Sequence, residues 1–211
     1  MKFSYLTTYV VTATILLAGF AENGRAQESE TSRPREVTYR EIIIGDVNAP
    51  VTIVEYASLT CNHCAAFHSS VLPQLKKNYI DTGKVRLVFR DYPLDGLAMA
   101  GAMLARCAPG QRGQRLLDVM FKNQMTWMRS TKPIEPLTSY ARLSGMTEAD
   151  VEACLKNEEI ITAIRQRQQT AQAQYQIAAT PTFFIGTERV EGNQGYEVMA
   201  KIIDDIMQDG L

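Results

Sequence analysis

The sequence has no excess of charge of either sign: 22 Lys and Arg against 23 Asp and Glu leave a net charge of −1 over 211 residues. No long basic or acidic run interrupts that balance, so neither a nucleic-acid footprint nor a polyanionic tail is indicated. Also missing is an apolar run of the roughly 20 residues that a membrane-spanning helix needs; the uncharged stretch from Tyr5 to Phe20 is shorter, which leaves an uncleaved membrane anchor as its second reading. No Cys follows Leu16-Leu17-Ala18-Gly19, so no lipoprotein anchor is expected there. There is no internal repeat or sustained low-complexity tract, and neither a second C-x-x-C nor an H-x-x-x-H that would complete a zinc site.

What is present begins with an export pattern. Lys2, the uncharged stretch, and then the polar or small residues Glu22 to Ala26 have the layout of a signal peptide over residues 1–26. Small residues at Gly24 and Ala26 place cleavage after Ala26, with Gly19-Phe20-Ala21 as the second choice. Residues 27–38, rich in Glu, Ser, Thr and Arg with little to bury, read as a flexible lead-in. The remaining 39–211 read as the folded domain; with 45% apolar residues in the sequence, that length is enough to bury one core.

Ile42-Ile43-Ile44 is expected to form a short edge strand. Val51 to Ala57, a β-branched run bounded by Asn48-Ala49-Pro50, is the first central strand. From Cys61 onward, apolar positions at 64, 67, 71, 72, 75 and 79 recur at helical spacing, so a helix begins at the C-x-x-C. Pro73 sits inside that helix and should kink it. Val85 to Phe89 reads as a second strand, parallel to the first because a helix separates them. Residues of about 94–176 favour helix, with breaks at Pro109-Gly110, Pro133, Pro136 and Ser144-Gly145 and a cap candidate at Thr147. They read as a helical insert of four or five segments. Thr182 to Gly186 and Glu188 to Gly192 form a β-hairpin, and Glu197 to Gln208 a final amphipathic helix.

Four cysteines, an even count in an exported chain, make disulfides the first hypothesis. Cys61-Asn62-His63-Cys64 is a close pair at a helix start, and disulfide exchange there needs a thiolate. A free cysteine, with a pKa of about 8.5, is only a few per cent ionised at neutral pH. A Cys at the first turn of a helix meets unpaired backbone N–H groups and the positive end of the dipole, and His63 can add a donor or a charge. Cys61 is therefore read as the nucleophile and Cys64, one turn deeper, as the resolving thiol. A zinc site is the competing reading, but only His63, His68, Cys107 and Cys154 remain as further ligands. His68, one turn after Cys64, is read as a packed or solvated helix residue. Cys107 and Cys154 lie on apolar faces of the insert and read either as a structural disulfide or as two buried free thiols. Glu55, in mid-strand six residues before Cys61, either carries a role that offsets the cost of burying a carboxylate or points to solvent at a strand edge.

The order of these elements resembles the thioredoxin fold, an α/β architecture, and the helical insert resembles its DsbA-like branch. Three segments carry the resemblance: VTIVEYASLTCNHC (51–64), GKVRLVFRDYP (83–93) and ATPTFFI (179–185). It spans essentially residues 40–211. It implies that Cys61 and Cys64 form a redox-active disulfide that oxidises other proteins, and that Glu55 relays protons to Cys64 through a water. It also implies that Thr180-Pro181 is a cis-proline loop beside the disulfide. Asn62 stands where the best-known members have Pro, while His63 is retained, so an oxidant is expected with its strength left open. The implied partners are reduced exported proteins and a membrane quinone-linked, DsbB-like reoxidant; the address is the periplasm, and the state a monomer without cofactor or metal. A disulfide isomerase or reductase, or a peptide-binding chaperone without turnover, are the competing functions.

Overall fold

The computed structural model describes residues 39–209 together with Met1. The rest of the expected signal peptide and the lead-in lie outside the described residues. Five strands form one mixed sheet in the order β1-β3-β2-β4-β5. β2 (Val51–Ala57) and β3 (Val85–Asp91) pair in parallel at its centre, with Glu55 level with Phe89. β4 (Thr182–Ile185) lies antiparallel on the other side of β2, level at Glu55 with Phe183, and β1 (Ile42–Ile44) closes the far edge on β3. β4 turns into β5 (Glu188–Glu191) through Gly186, whose φ of +57° is the left-handed value that glycine meets without strain in a tight hairpin.

The crossover from β2 to β3 is helical throughout but not uniformly α. α1 (Asn62–Ala66) runs into a π-helical turn (Phe67–Val71), then α2 (Leu72–Leu75), then a second π-helical turn (Lys76–Ile80). Pro73 falls in the first turn of α2, where its missing N–H costs least, and the wide turns on either side absorb the distortion. All six apolar positions at helical spacing, from Cys64 to Tyr79, are buried against the sheet.

Between β3 and β4 stand six helices, where sequence breaks alone indicate four or five: α3 (Gly96–Cys107), α4 (Arg112–Lys122), α5 (Gln124–Met128), α6 (Ile134–Leu143), α7 (Glu148–Leu155) and α8 (Glu158–Tyr175). The extra division is at Asn123, which carries neither Pro nor Gly to announce it. Thr147 caps α7 in a reciprocal box with Asp150, its hydroxyl accepting from the Asp150 N–H at 3.1 Å and its N–H donating to Oδ2 at 2.9 Å. α9 (Tyr196–Gln208) packs its buried Met199, Ala200 and Ile203 on the core.

Two devices hold the insert to the sheet and to itself. Cys107 at the end of α3 and Cys154 in α7 are disulfide-bonded across 47 residues. The guanidinium of Arg106 is fully buried; its Nε donates to Asp91 at the end of β3 at 2.7 Å, and its other nitrogens donate to the carbonyls of Arg40 and Phe89.

Candidate active site

The site lies where β2 ends and the chain passes through Ser58-Leu59-Thr60 into the helix. Cys61 is the residue before α1, in extended conformation, and is 9% exposed; Cys64, one turn on, is 0% exposed. Both are free thiols. The Cys61 thiol is lowered to about 5, first by a hydrogen bond from the Cys64 side chain, then by the Thr180 hydroxyl and the backbone N–H groups of Cys64 and His63, against the opposing effect of burial. Cys64 moves the other way. Burial, its hydrogen bond to Cys61 and the charge of Glu55 all push its thiol far up, so it holds its proton. The two sulfurs share a site and their titrations are driven apart.

Across the site, the Thr180–Pro181 bond is cis, and both residues are buried. The Cys61 sulfur donates to the Thr180 carbonyl oxygen at 3.1 Å. Residue 180 therefore acts in two senses: its carbonyl favours the protonated thiol and its hydroxyl the thiolate. The side chains of Asn62 and His63 face solvent on the outer side of the helix.

A thioredoxin family model matches residues 38–205. The chain belongs to the thioredoxin family. Within it, Wolbachia pipientis α-DsbA1 is 30% identical, with a TM-score of 0.73 over 79% of this chain and 90% of that one. A Rickettsia prowazekii protein whose name assigns it to the protein-disulfide oxidoreductases is 29% identical over 192 residues, covering 89% of this chain and 70% of its own length. BdbD from Bacillus subtilis shares the fold at 20% identity, with a TM-score of 0.68. The architecture is the DsbA-like form of the thioredoxin fold, with its helices inserted between β3 and β4.

Within this thioredoxin frame, Glu55 is not at a sheet edge. It is 0% exposed on central β2, between Phe89 and Phe183, so the solvent-facing reading is excluded. His68 is not solvated, and it has a partner the sequence does not reveal. Its side chain is 3% exposed, and its Nε2 lies 3.1 Å from both Glu55 oxygens. The ring stacks on Phe121 at 4.0 Å and 20°. Gln124 is a second residue that sequence reasoning misses: from the insert, its Nε2 donates to the carbonyls of Leu59 at 2.7 Å and Cys61 at 2.9 Å. Thr60 in the same loop donates to Asp95, the N-cap of α3, at 2.7 Å. The insert thus holds both sides of the active-site loop. Cys107 and Cys154 are bonded to each other, apart from this constellation.

Proposed function

We propose that this protein is a dithiol oxidase that introduces disulfide bonds into exported proteins, with Cys61 and Cys64 as its reactive pair. The observation that carries this reading is the placement of the pair, with Cys61 at the helix start against the cis Thr180–Pro181 loop and Cys64 fully buried behind it; the same surroundings lower the Cys61 thiol to about 5 and raise that of Cys64. A reduced form that holds Cys61 as a stable thiolate makes the disulfide form a good oxidant, because giving the disulfide away leads to the favoured state. DsbA, with a nucleophile pKa of about 3.5 and a potential of about −120 mV, is the extreme of this relation.

The reaction balances as an exchange. A substrate thiolate attacks the Cys61 sulfur of the enzyme disulfide, a mixed disulfide forms, and the electron pair of the broken bond leaves on Cys64. A second substrate thiolate then attacks the substrate sulfur of the mixed disulfide, releasing oxidised substrate and the Cys61 thiolate. The cis loop at Thr180-Pro181 offers backbone beside Cys61 for an extended substrate to pair with. Glu55, whose charge acts on Cys64, supplies and removes the Cys64 proton.

The signal-peptide pattern of residues 1–26 supports export to the periplasm, where disulfides persist; no helix among the described residues is long and apolar enough to cross a membrane. Turnover then needs an oxidant for the reduced pair, and a quinone-linked membrane protein of the DsbB kind fits that role. The test is to mix the oxidised protein with a reduced two-cysteine peptide: one peptide disulfide per enzyme is expected, none from Cys61→Ser, and a trapped mixed disulfide from Cys64→Ala. A peptide left reduced by the wild type overturns the reading.

A further inference from the structure

Breaking the Cys61–Cys64 bond leaves a negative charge on a sulfur that is fully buried and strongly favours its proton. A proton must reach it on each reduction and leave on each reoxidation. Glu55 is itself fully buried and needs a supply of its own. Both of its oxygens face a single nitrogen, Nε2 of His68. A carboxylate accepts, so Nε2 donates, which leaves Nδ1 as the nitrogen that takes up the next proton. Nδ1 is buried and has no hydrogen-bond partner among the described residues. Phe121 stacks on the ring, with Phe67 and Phe89 edge-on, and these contacts fix its plane.

His68 also lines a surface cleft between its own helix and α4, with Lys76, Lys77, Asp81, Asp118 and Lys122 as the charged groups around it. Asp118 has its carboxyl pushed up, first by burial, with His68 and Lys76 drawing it down and Glu55 raising it. Neither Cys61, His63 nor Thr180 lines this cleft.

We propose that His68 is a positioning residue for the redox reaction: it holds the Glu55 carboxylate and passes protons between it and the Asp118 cleft, away from the substrate side. The inference rests on the dithiol oxidase reading above. When the electron pair of the broken S–S bond arrives on Cys64, the Nε2 proton of His68 passes to the Glu55 carboxylate and from it to that sulfur, while Nδ1 of His68 takes a proton from water in the cleft. Reoxidation runs the same transfers backwards, so no charge is left on the buried sulfur.

The test follows single-turnover reduction of the oxidised full-length protein by a dithiol peptide across about pH 5 to 8, the range in which histidine titrates. The wild-type rate is expected to bend at the His68 titration midpoint, read by NMR; the chain has only 2 histidines, so the signal is resolved from that of His63. Glu55→Gln is expected to slow the reaction on the order of 10²-fold at neutral pH. His68→Gln, which keeps an amide donor but cannot titrate, is expected to lose the bend while Cys61 titrates as in the wild type. An active wild type with an unchanged profile in His68→Gln overturns this proposal alone. Should that variant not fold, a wild-type bend that does not coincide with the His68 midpoint overturns it. A wild type that oxidises no peptide at any pH overturns the oxidase reading as well.

Discussion

The Cys61 sulfur lies 3.1 Å from the carbonyl oxygen of Thr180, 119 residues further along the chain. The contact ties the start of the first helix to the cis-proline loop and leaves Cys61 at the 9% exposed mouth of an otherwise buried pair. Its other neighbours stabilise the anion, so the thiolate absorbance of the reduced protein should rise with a midpoint of about 5. Cys64→Ala should move that midpoint upward, because the largest stabilising contribution is the Cys64 hydrogen bond. A wild-type midpoint above about 8, the region of an unperturbed thiol, would contradict this assignment.

Stability of the reduced form should follow the same group. A thiol whose folded-state pKa is depressed contributes stability that is present above its unfolded value, about 8.5, and is lost as pH falls toward about 5. Cys64, raised in the folded state, has the opposite sign: its contribution is present below about pH 8.5 and fades above it. In urea unfolding, the advantage of the reduced over the oxidised protein should therefore shrink steadily between about pH 8 and 5. A difference that is flat with pH would show that Cys61 does not titrate in that range.

Gln124 is 2% exposed and holds the Leu59 and Cys61 carbonyls from the insert. Gln124→Leu removes that donor while filling similar volume, and should destabilise the oxidised protein by about 1–3 kcal/mol. A loss within about 0.5 kcal/mol, the range of ordinary surface changes, would mean that the insert does not brace the active-site loop.

The Cys107–Cys154 bond closes 47 residues of the insert. Replacing both by Ala should cost about 4 kcal/mol by chain entropy alone, measured by urea unfolding with Cys61 and Cys64 intact. Peptide oxidation by the folded fraction should persist, because neither residue contacts the reactive pair. Loss of exchange at full stability would show that this bond acts on chemistry.

Much of the fold was legible because it is local. The run Val51 to Ala57, the helical spacing from Cys64 to Tyr79 and the Gly186-Thr187 turn each carry their own pattern, and the reactive cysteines announce themselves by proximity. The Thr180-Pro181 loop entered through family resemblance rather than through any pattern of its own. His68 was harder. Four residues after Cys64, it shares a helix face with it, which is enough to expect packing. Only the docking of helix on sheet brings its ring to Glu55 on a different element. Gln124 gives no signal at all, since its two acceptors are backbone carbonyls 65 and 63 residues away. The division at Asn123 is silent in the sequence for a similar reason, since no breaker residue marks it.

The direction of exchange is tested most directly by the equilibrium reduction potential of the mature protein against glutathione. A stable Cys61 thiolate predicts a value toward the roughly −120 mV of DsbA, whereas one near thioredoxin's roughly −270 mV would contradict the oxidase reading and make the protein a reductant.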